Sequence, residues 1–202
     1  MTKKVTLPIR FREKFYIINF QERSLQPEKG AIFAFIDSQN LNLSVKDDIY
    51  HKGSGKLIYS GWSLDFKKFS VYLKDKYNVS KAFLFIGKKP GNEGLYRYLK
   101  RAGYQLVYKP TITSKNPNKE LTTKGNVDAE LVLHAMIEYD NYDRAIIVAG
   151  DGDYHCLVEY LHDNNKLEKI FIPNRYSYSS LLRGYRNYFA YVSDLRKKLE
   201  KK

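Results

Sequence analysis

Asp151 and Asp153 are separated by a single glycine, and the pair follows directly on the apolar run Arg144-Ala145-Ile146-Ile147-Val148-Ala149. A second run of the same kind, Ala31-Ile32-Phe33-Ala34-Phe35-Ile36, delivers Asp37-Ser38-Gln39-Asn40 at its own carboxyl end. Short, nearly uniform apolar runs read as buried strands, and the carboxyl ends of such strands are where an α/β protein places its chemistry. Asp128 opens a predicted helix that precedes the Arg144 run, so it is a fourth acid able to reach the same rim. Carboxylates gathered in this way repel one another until a proton or a cation neutralises some of them. Hard oxygen donors select magnesium or manganese, which polarise a phosphodiester and lower the pKa of an attacking water. The expected chemistry is phosphodiester hydrolysis. Each position also has a plainer reading: Asp151-Gly152-Asp153 suits a tight turn, Asp128 a helix N-cap and Asn40 an Asx turn.

The rest of the chain must position those acids. Ser63 is a candidate N-cap for a helix over residues 64–77, where Leu64, Phe66, Phe69, Leu73 and Tyr77 recur at helical spacing. A strand over 81–86, a helix over 91–102 stopped by Gly103 and a strand over 104–108 follow. Residues 109–124 read as a polar, proline-bearing loop. Beyond it the pattern predicts a helix over 127–139, a strand over 144–149, a helix over 154–162, a strand over 169–172 and a last helix within 179–191. Residues 43–60 form a turn-rich insertion with a hairpin ending in Leu57-Ile58-Tyr59. Apolar strands alternating with helices imply a doubly wound α/β fold, its parallel sheet covered on both faces.

Residues 1–29 read as a basic appendage in which 10–20 form a strand or a short helix, residues 30–192 as the main domain, and 193–202 as a basic tail that frays from Arg196. The chain of 202 residues carries 35 Lys and Arg against 22 Asp and Glu, a formal charge of +13, which favours a polyanionic partner, nucleic acid before membrane. Its one cysteine, Cys156, can form no internal disulfide and offers no zinc spacing, so it reads as a packing residue in a reduced, intracellular protein. No apolar run approaches the roughly 18 to 20 residues that span a bilayer. Nor does Met1-Thr2-Lys3-Lys4 lead into a signal-peptide core. The expectation is a soluble, cytoplasmic protein.

Three stretches taken together are Phe35-Ile36-Asp37-Ser38-Gln39-Asn40-Leu41, Lys124-Gly125-Asn126-Val127-Asp128-Ala129-Glu130-Leu131 and Val148-Ala149-Gly150-Asp151-Gly152-Asp153-Tyr154. In order, spacing and flanking strands the chain resembles the NYN-domain branch of the PIN-like nucleases over residues 31–192. The resemblance implies a Rossmann-like PIN/NYN three-layer sandwich with a central parallel sheet ordered 3-2-1-4-5. It further implies that Asp37, Asp128, Asp151 and Asp153 form a centre for Mg2+ or Mn2+, that Asn40 supports it, and that the substrate is RNA. On this reading Asp37 and Asp151 hold the principal cation, Asp128 and Asp153 complete or position its water shell, and cleavage leaves a 3′-hydroxyl and a 5′-phosphate. Where family members often carry another aspartate, six residues after the position of Asp128, this chain has His134. A six-residue step turns away from the first helical face, and His134 reads as a packing or surface histidine before a ligand.

Phosphate contacts are expected from Lys124 first, then from Lys88, Lys89, Arg175 and Arg183, with Arg186, Arg97, Lys100, Arg101, Lys109, Lys115 and Lys119 extending the basic excess. Tyr176, Tyr178, Tyr185 and Tyr188 stand among arginines as candidate base-stacking rings, whereas Trp62 reads as a packing anchor. The function implied is a metal-dependent endoribonuclease. An RNA-binding regulator without turnover and a DNA-directed nuclease are the alternatives. A homodimer through the amino-terminal segment is compatible with the sequence.

Overall fold

Ile32–Asp37 forms β1 in the middle of a six-stranded, wholly parallel sheet. The computed structural model describes residues 9–11, 14–16, 30–110, 112–115, 121–124 and 127–202, with side chains over 30–109 and 127–202. The remaining strands of the sheet are β2 (Val79–Lys88), β3 (Tyr104–Pro110), β4 (Arg144–Val148), β5 (Leu167–Ile172) and β6 (Phe189–Tyr191). Their spatial order is β6-β5-β4-β1-β2-β3. This is the expected 3-2-1-4-5 order with one strand added at the edge. Between β1 and β4 the winding reverses direction, and a crevice opens at the carboxyl ends of strands on either side of such a point.

Among the described residues six α-helices flank the sheet: α1 (Ser38–Lys46), α2 (Phe66–Tyr77), α3 (Glu93–Arg101), α4 (Asp128–Ile137), α5 (His155–Asp163) and α6 (Arg196–Leu199). Alternation along β1 divides its side chains between two cores. Phe33 and Phe35 pack with Phe83, Phe85 and Ile147 against Leu131 and Ala135 of α4 and Leu157, Val158 and Leu161 of α5. Ala34 and Ile36 pack on the other face with Leu41 and Val45 of α1 and Phe69 and Leu73 of α2. The result is the expected α/β three-layer sandwich with a central parallel sheet. Asp37 continues the period of Phe33 and Phe35 and so faces the α4 and α5 layer.

Several elements differ from expectation. Helix α1 was not foreseen; its register is held by Asp37, whose Oδ1 accepts from the backbone N–H groups of Gln39 (3.0 Å) and Asn40 (2.9 Å). Asp65, not Ser63, caps α2, accepting from Lys67 N at 2.9 Å and Lys68 N at 3.1 Å. The expected loop over 109–124 contains an antiparallel pair, Ile112–Lys115 with Leu121–Lys124. Residues 179–191 hold a 3-10 run, Ser180–Tyr188, followed by β6 rather than a helix. In the amino-terminal segment Ile9–Phe11 pairs with Lys14–Tyr16 as antiparallel strands, and the rest of residues 1–29 lies outside the described residues. The insertion hairpin is present as Ile49–Tyr50 with Leu57–Tyr59.

The basic end is docked rather than frayed. Leu199 is buried in the α2 layer, its carbonyl accepts from Asp65 N at 2.8 Å, and Lys201 N donates to Ser63 O at 2.8 Å. Cys156 is exposed, not packed. Trp62 is buried as a packing anchor. Among the described residues no helix is long and apolar enough to cross a membrane.

Candidate active site

Three elements meet at the carboxyl ends of β1 and β4. Asp37 arrives at the end of β1, Asp128 stands in the first turn of α4, and Asp151 to Tyr154 form the 3-10 turn that leads from β4 into α5. The Tyr154 hydroxyl lies 2.9 Å from Asp37 Oδ2 and 2.6 Å from Asp128 Oδ1. It therefore joins carboxylates delivered by two different elements. Tyr154 itself is buried, and burial, with the charges of Asp37 and Asp128 adding, pushes its ionisation far above the ordinary tyrosine range. It remains a neutral donor with one proton for two acceptors.

Asp37 is only 6% exposed, and burial raises its carboxyl above the usual range. The charge of Asp128 adds to that rise, while the hydrogen bonds from Asn40, Tyr154 and Gln39 act against it. Asp153 is exposed and also raised, first by the charge of Asp151 and then by Asp128. Asp128 thus acts on both Asp37 and Asp153, and Asp151 acts on Asp153. Asp151 is at the same time the turn former of the plainer reading, its Oδ1 accepting from Asp153 N at 3.2 Å. Asp128 is not an N-cap: Val127 holds that position, without a side-chain cap.

The glycine between the two acids has a steric reason. A Cβ on Gly152 would collide with the Ser179 Oγ and press on Leu181 Cδ1 at 3.0 Å. Gly150 is tied on both sides, donating to Asn40 Oδ1 at 2.8 Å and accepting from Ser179 N at 2.8 Å. The Asn40 amide oxygen is thereby committed to the β4 loop. Its role is to lock the first turn of α1 to the segment that carries Asp151 and Asp153.

His134 stands apart from the acids. Its ring centroid lies 4.6 Å from that of Phe83 and 5.7 Å from that of Phe85, and its Nε2 is buried without a hydrogen-bond partner among the described residues. Among the described residues no three carboxylate, imidazole or thiolate groups are spaced to hold an ion as they stand. The donor set still fits one kind of cation. Magnesium binds through one or two carboxylates and keeps several waters, so a line of hard oxygens with excess negative charge suits it better than a closed cage.

The expected basic track is dispersed. Lys88 and Lys89 are exposed at the end of β2, with the Lys88 Nζ 6.0 Å from the Tyr108 ring. Arg175 is engaged by Asp194 at 2.9 Å and lies over the Tyr191 ring at 4.9 Å. Arg183 is exposed on the 3-10 run, and the side chain of Lys124 lies outside the described residues. Tyr178, Tyr185 and Tyr188 are half-buried in contacts with Phe189, His155 and His162, which leaves Tyr176 as the largely exposed ring of the four. Tyr154, by contrast, has no role that its sequence context alone declares. A tyrosine directly after two acids at a strand end is the one signal that could have found it.

The NYN domain family matches residues 31–193 of the chain. No curated protein matches it. Among solved structures, that of a protein of unknown function from Vibrio parahaemolyticus RIMD 2210633 is similar, with a TM-score of 0.61 and 21% identity over 84% of this chain and 96% of that one. At that identity the likeness concerns the fold.

Proposed function

The chain belongs to the NYN domain family of PIN-like nucleases, and from that premise we propose that it is a divalent-metal-dependent endoribonuclease. The observation that carries the reading is the hydrogen-bonded line from Asp37 through Tyr154 to Asp128, at 2.9 and 2.6 Å, beside the exposed pair Asp151 and Asp153. Asp37, Asp128, Asp151 and Asp153 would hold Mg2+ or Mn2+, which when bound polarises the phosphodiester and strengthens water as a nucleophile. The protein's own groups prepare that event. Two backbone N–H bonds fix the Asp37 carboxylate, the Tyr154 hydroxyl holds Asp37 and Asp128 in register, and the Asn40 to Gly150 bond holds the β4 loop against α1. Asp153, exposed beside Asp151, would complete or position the water shell of that cation.

RNA is the substrate favoured by the +13 charge and by the resemblance of the acidic motifs. Lys88, Lys89, Lys124 and Arg183 are its proposed phosphate contacts, with Arg175 released from Asp194 on binding. Incubating a mixed RNA pool with the purified protein in Mn2+, Mg2+ and EDTA, followed by end mapping, tests the reading. Cleavage with 5′-phosphate ends is expected in either metal and not in EDTA. Asp37→Asn and Asp151→Asn should each lower the rate by at least about a hundredfold. Undiminished cleavage by either folded variant would overturn the proposal.

A second reading, an RNA-binding regulator without turnover, is favoured by the spacing of the acids, no three of which among the described residues are set to hold an ion. Tight binding of RNA with no products in either metal selects it. Matched RNA and DNA oligonucleotides separate a ribonuclease from a DNA-directed enzyme.

A further inference from the structure

A cavity of about 380 Å³ opens between α1, the carboxyl end of β2 and α3. Its lining has two characters. Phe66, Ile86 and Leu99 are its more buried, apolar members, whereas Gln39, Asn42 and Asn92 are amides nearer the surface. Among the described residues none of these three side-chain amides has a hydrogen-bond partner, and Asn92, although it stands at the N-cap of α3, makes no capping bond with its side chain. No carboxylate lines the cavity, and Lys89 is at its edge. The cavity is also joined to the acids. Gln39 donates its backbone N–H to Asp37 Oδ1 at 3.0 Å while its side chain lines the cavity, so both features share the first turn of α1.

An apolar pocket of this size with a few converging polar groups binds a small, mostly flat ligand. Amides offer a donor and an acceptor side by side, which matches the edge of a nucleobase, while the apolar walls accept its faces. A lipid chain would leave the amides unused, and an isolated phosphate would leave the apolar walls unused. We propose that this cavity is a nucleobase subsite, holding one unpaired base of the RNA strand next to the phosphate that lies over the acids. The assignment rests on the nuclease reading. It makes Gln39, Asn42 and Asn92 the residues that decide which phosphate is presented for cleavage, with Lys89 taking an adjoining phosphate.

The test is fluorescence anisotropy of labelled short homopolymers of U, C, A and G, and of an abasic oligonucleotide of equal length, all in EDTA so that no strand is cut. The wild-type protein should separate its best and worst homopolymer by about tenfold. Asn42→Ala combined with Asn92→Ala should shrink that spread to about twofold or less while leaving the abasic affinity unchanged, since phosphate contacts carry no base information. The single variants should fall between. Both positions are outside the buried core, and melting curves verify that the variants are folded. In Mn2+, the double variant should cut a mixed RNA at more positions than the wild type. Homopolymers bound with equal affinity by the wild type, or an unchanged spread in the double variant, overturn the subsite alone if RNA is still cut. Absence of both binding and cleavage instead overturns the nuclease reading on which it stands.

Discussion

A hydroxyl group carries one proton, and Tyr154 holds its oxygen within hydrogen-bond distance of Asp37 and Asp128 at once. At any moment one of these carboxylates lacks the donor it faces, and Asp37 is the more deeply buried of the two. Its carboxyl is accordingly raised above its ordinary 3.8, burial being the largest cause. A carboxyl harder to ionise folded than unfolded makes its ionisation destabilising. That cost is absent below 3.8, grows as the pH climbs through the folded-state value, and persists above it. Asp37→Asn removes the cost and presents an amide N–H to the tyrosine oxygen, so the hydroxyl can donate to Asp128. The variant should be more stable than the wild type at pH 7, with a higher melting temperature. The difference should vanish below pH 3.8. Calorimetry over a pH series checks this, and an equal or lower melting temperature at pH 7 contradicts it. Asp37, Asp151 and Asp153 were legible because acids stand out after an apolar strand, and Asp128 because it opens a helix that leads back to the same rim. Tyr154 was not, since one tyrosine among 18 declares no role until it meets partners 117 and 26 residues away.

At the level of elements, the site depends on how α1 and the β4 loop are joined. The Asn40 side-chain oxygen accepts from Gly150 N across 110 residues of sequence. Asn40→Ala leaves the buried Gly150 N–H without its acceptor, which should cost about 1 to 3 kcal/mol. Urea denaturation measures the loss, and a variant as stable as the wild type would show that water replaces the amide without penalty. The strands β1, β2, β4 and β5 were readable because each is a run of apolar residues buried on both faces. Helix α1 was not, because Ser38-Gln39-Asn40-Leu41-Asn42-Leu43-Ser44-Val45-Lys46 contains polar and β-branched residues of modest helix propensity and buries little more than Leu41 and Val45. Its cap, Asp37, belongs to the strand before it. Helix α6 was hidden by its lysines, which outnumber the one leucine that docks it. The cavity beside Gln39 could not be read at all, since its walls come from α1, β2 and α3 and acquire meaning only from their packing.

For the molecule as a whole, the charge of +13 sets how a polyanion is met. Among the described residues the basic groups belong to several elements, and Arg175 is already paired with Asp194. Binding of single-stranded RNA in EDTA should weaken steadily with salt, log Kd against log salt rising by about 0.7 for each phosphate neutralised, so that four contacts give a slope near 3. A slope near zero would exclude the surface charge as the main source of affinity. The parallel topology has a temporal consequence as well. Asp37 is bonded to Tyr154, 117 positions further along the chain. While the ribosome is still reading earlier codons, the nascent polypeptide already carries Asp37 and Asp128 but not the hydroxyl that joins them, so the acidic group stays unassembled until Tyr154 has been made.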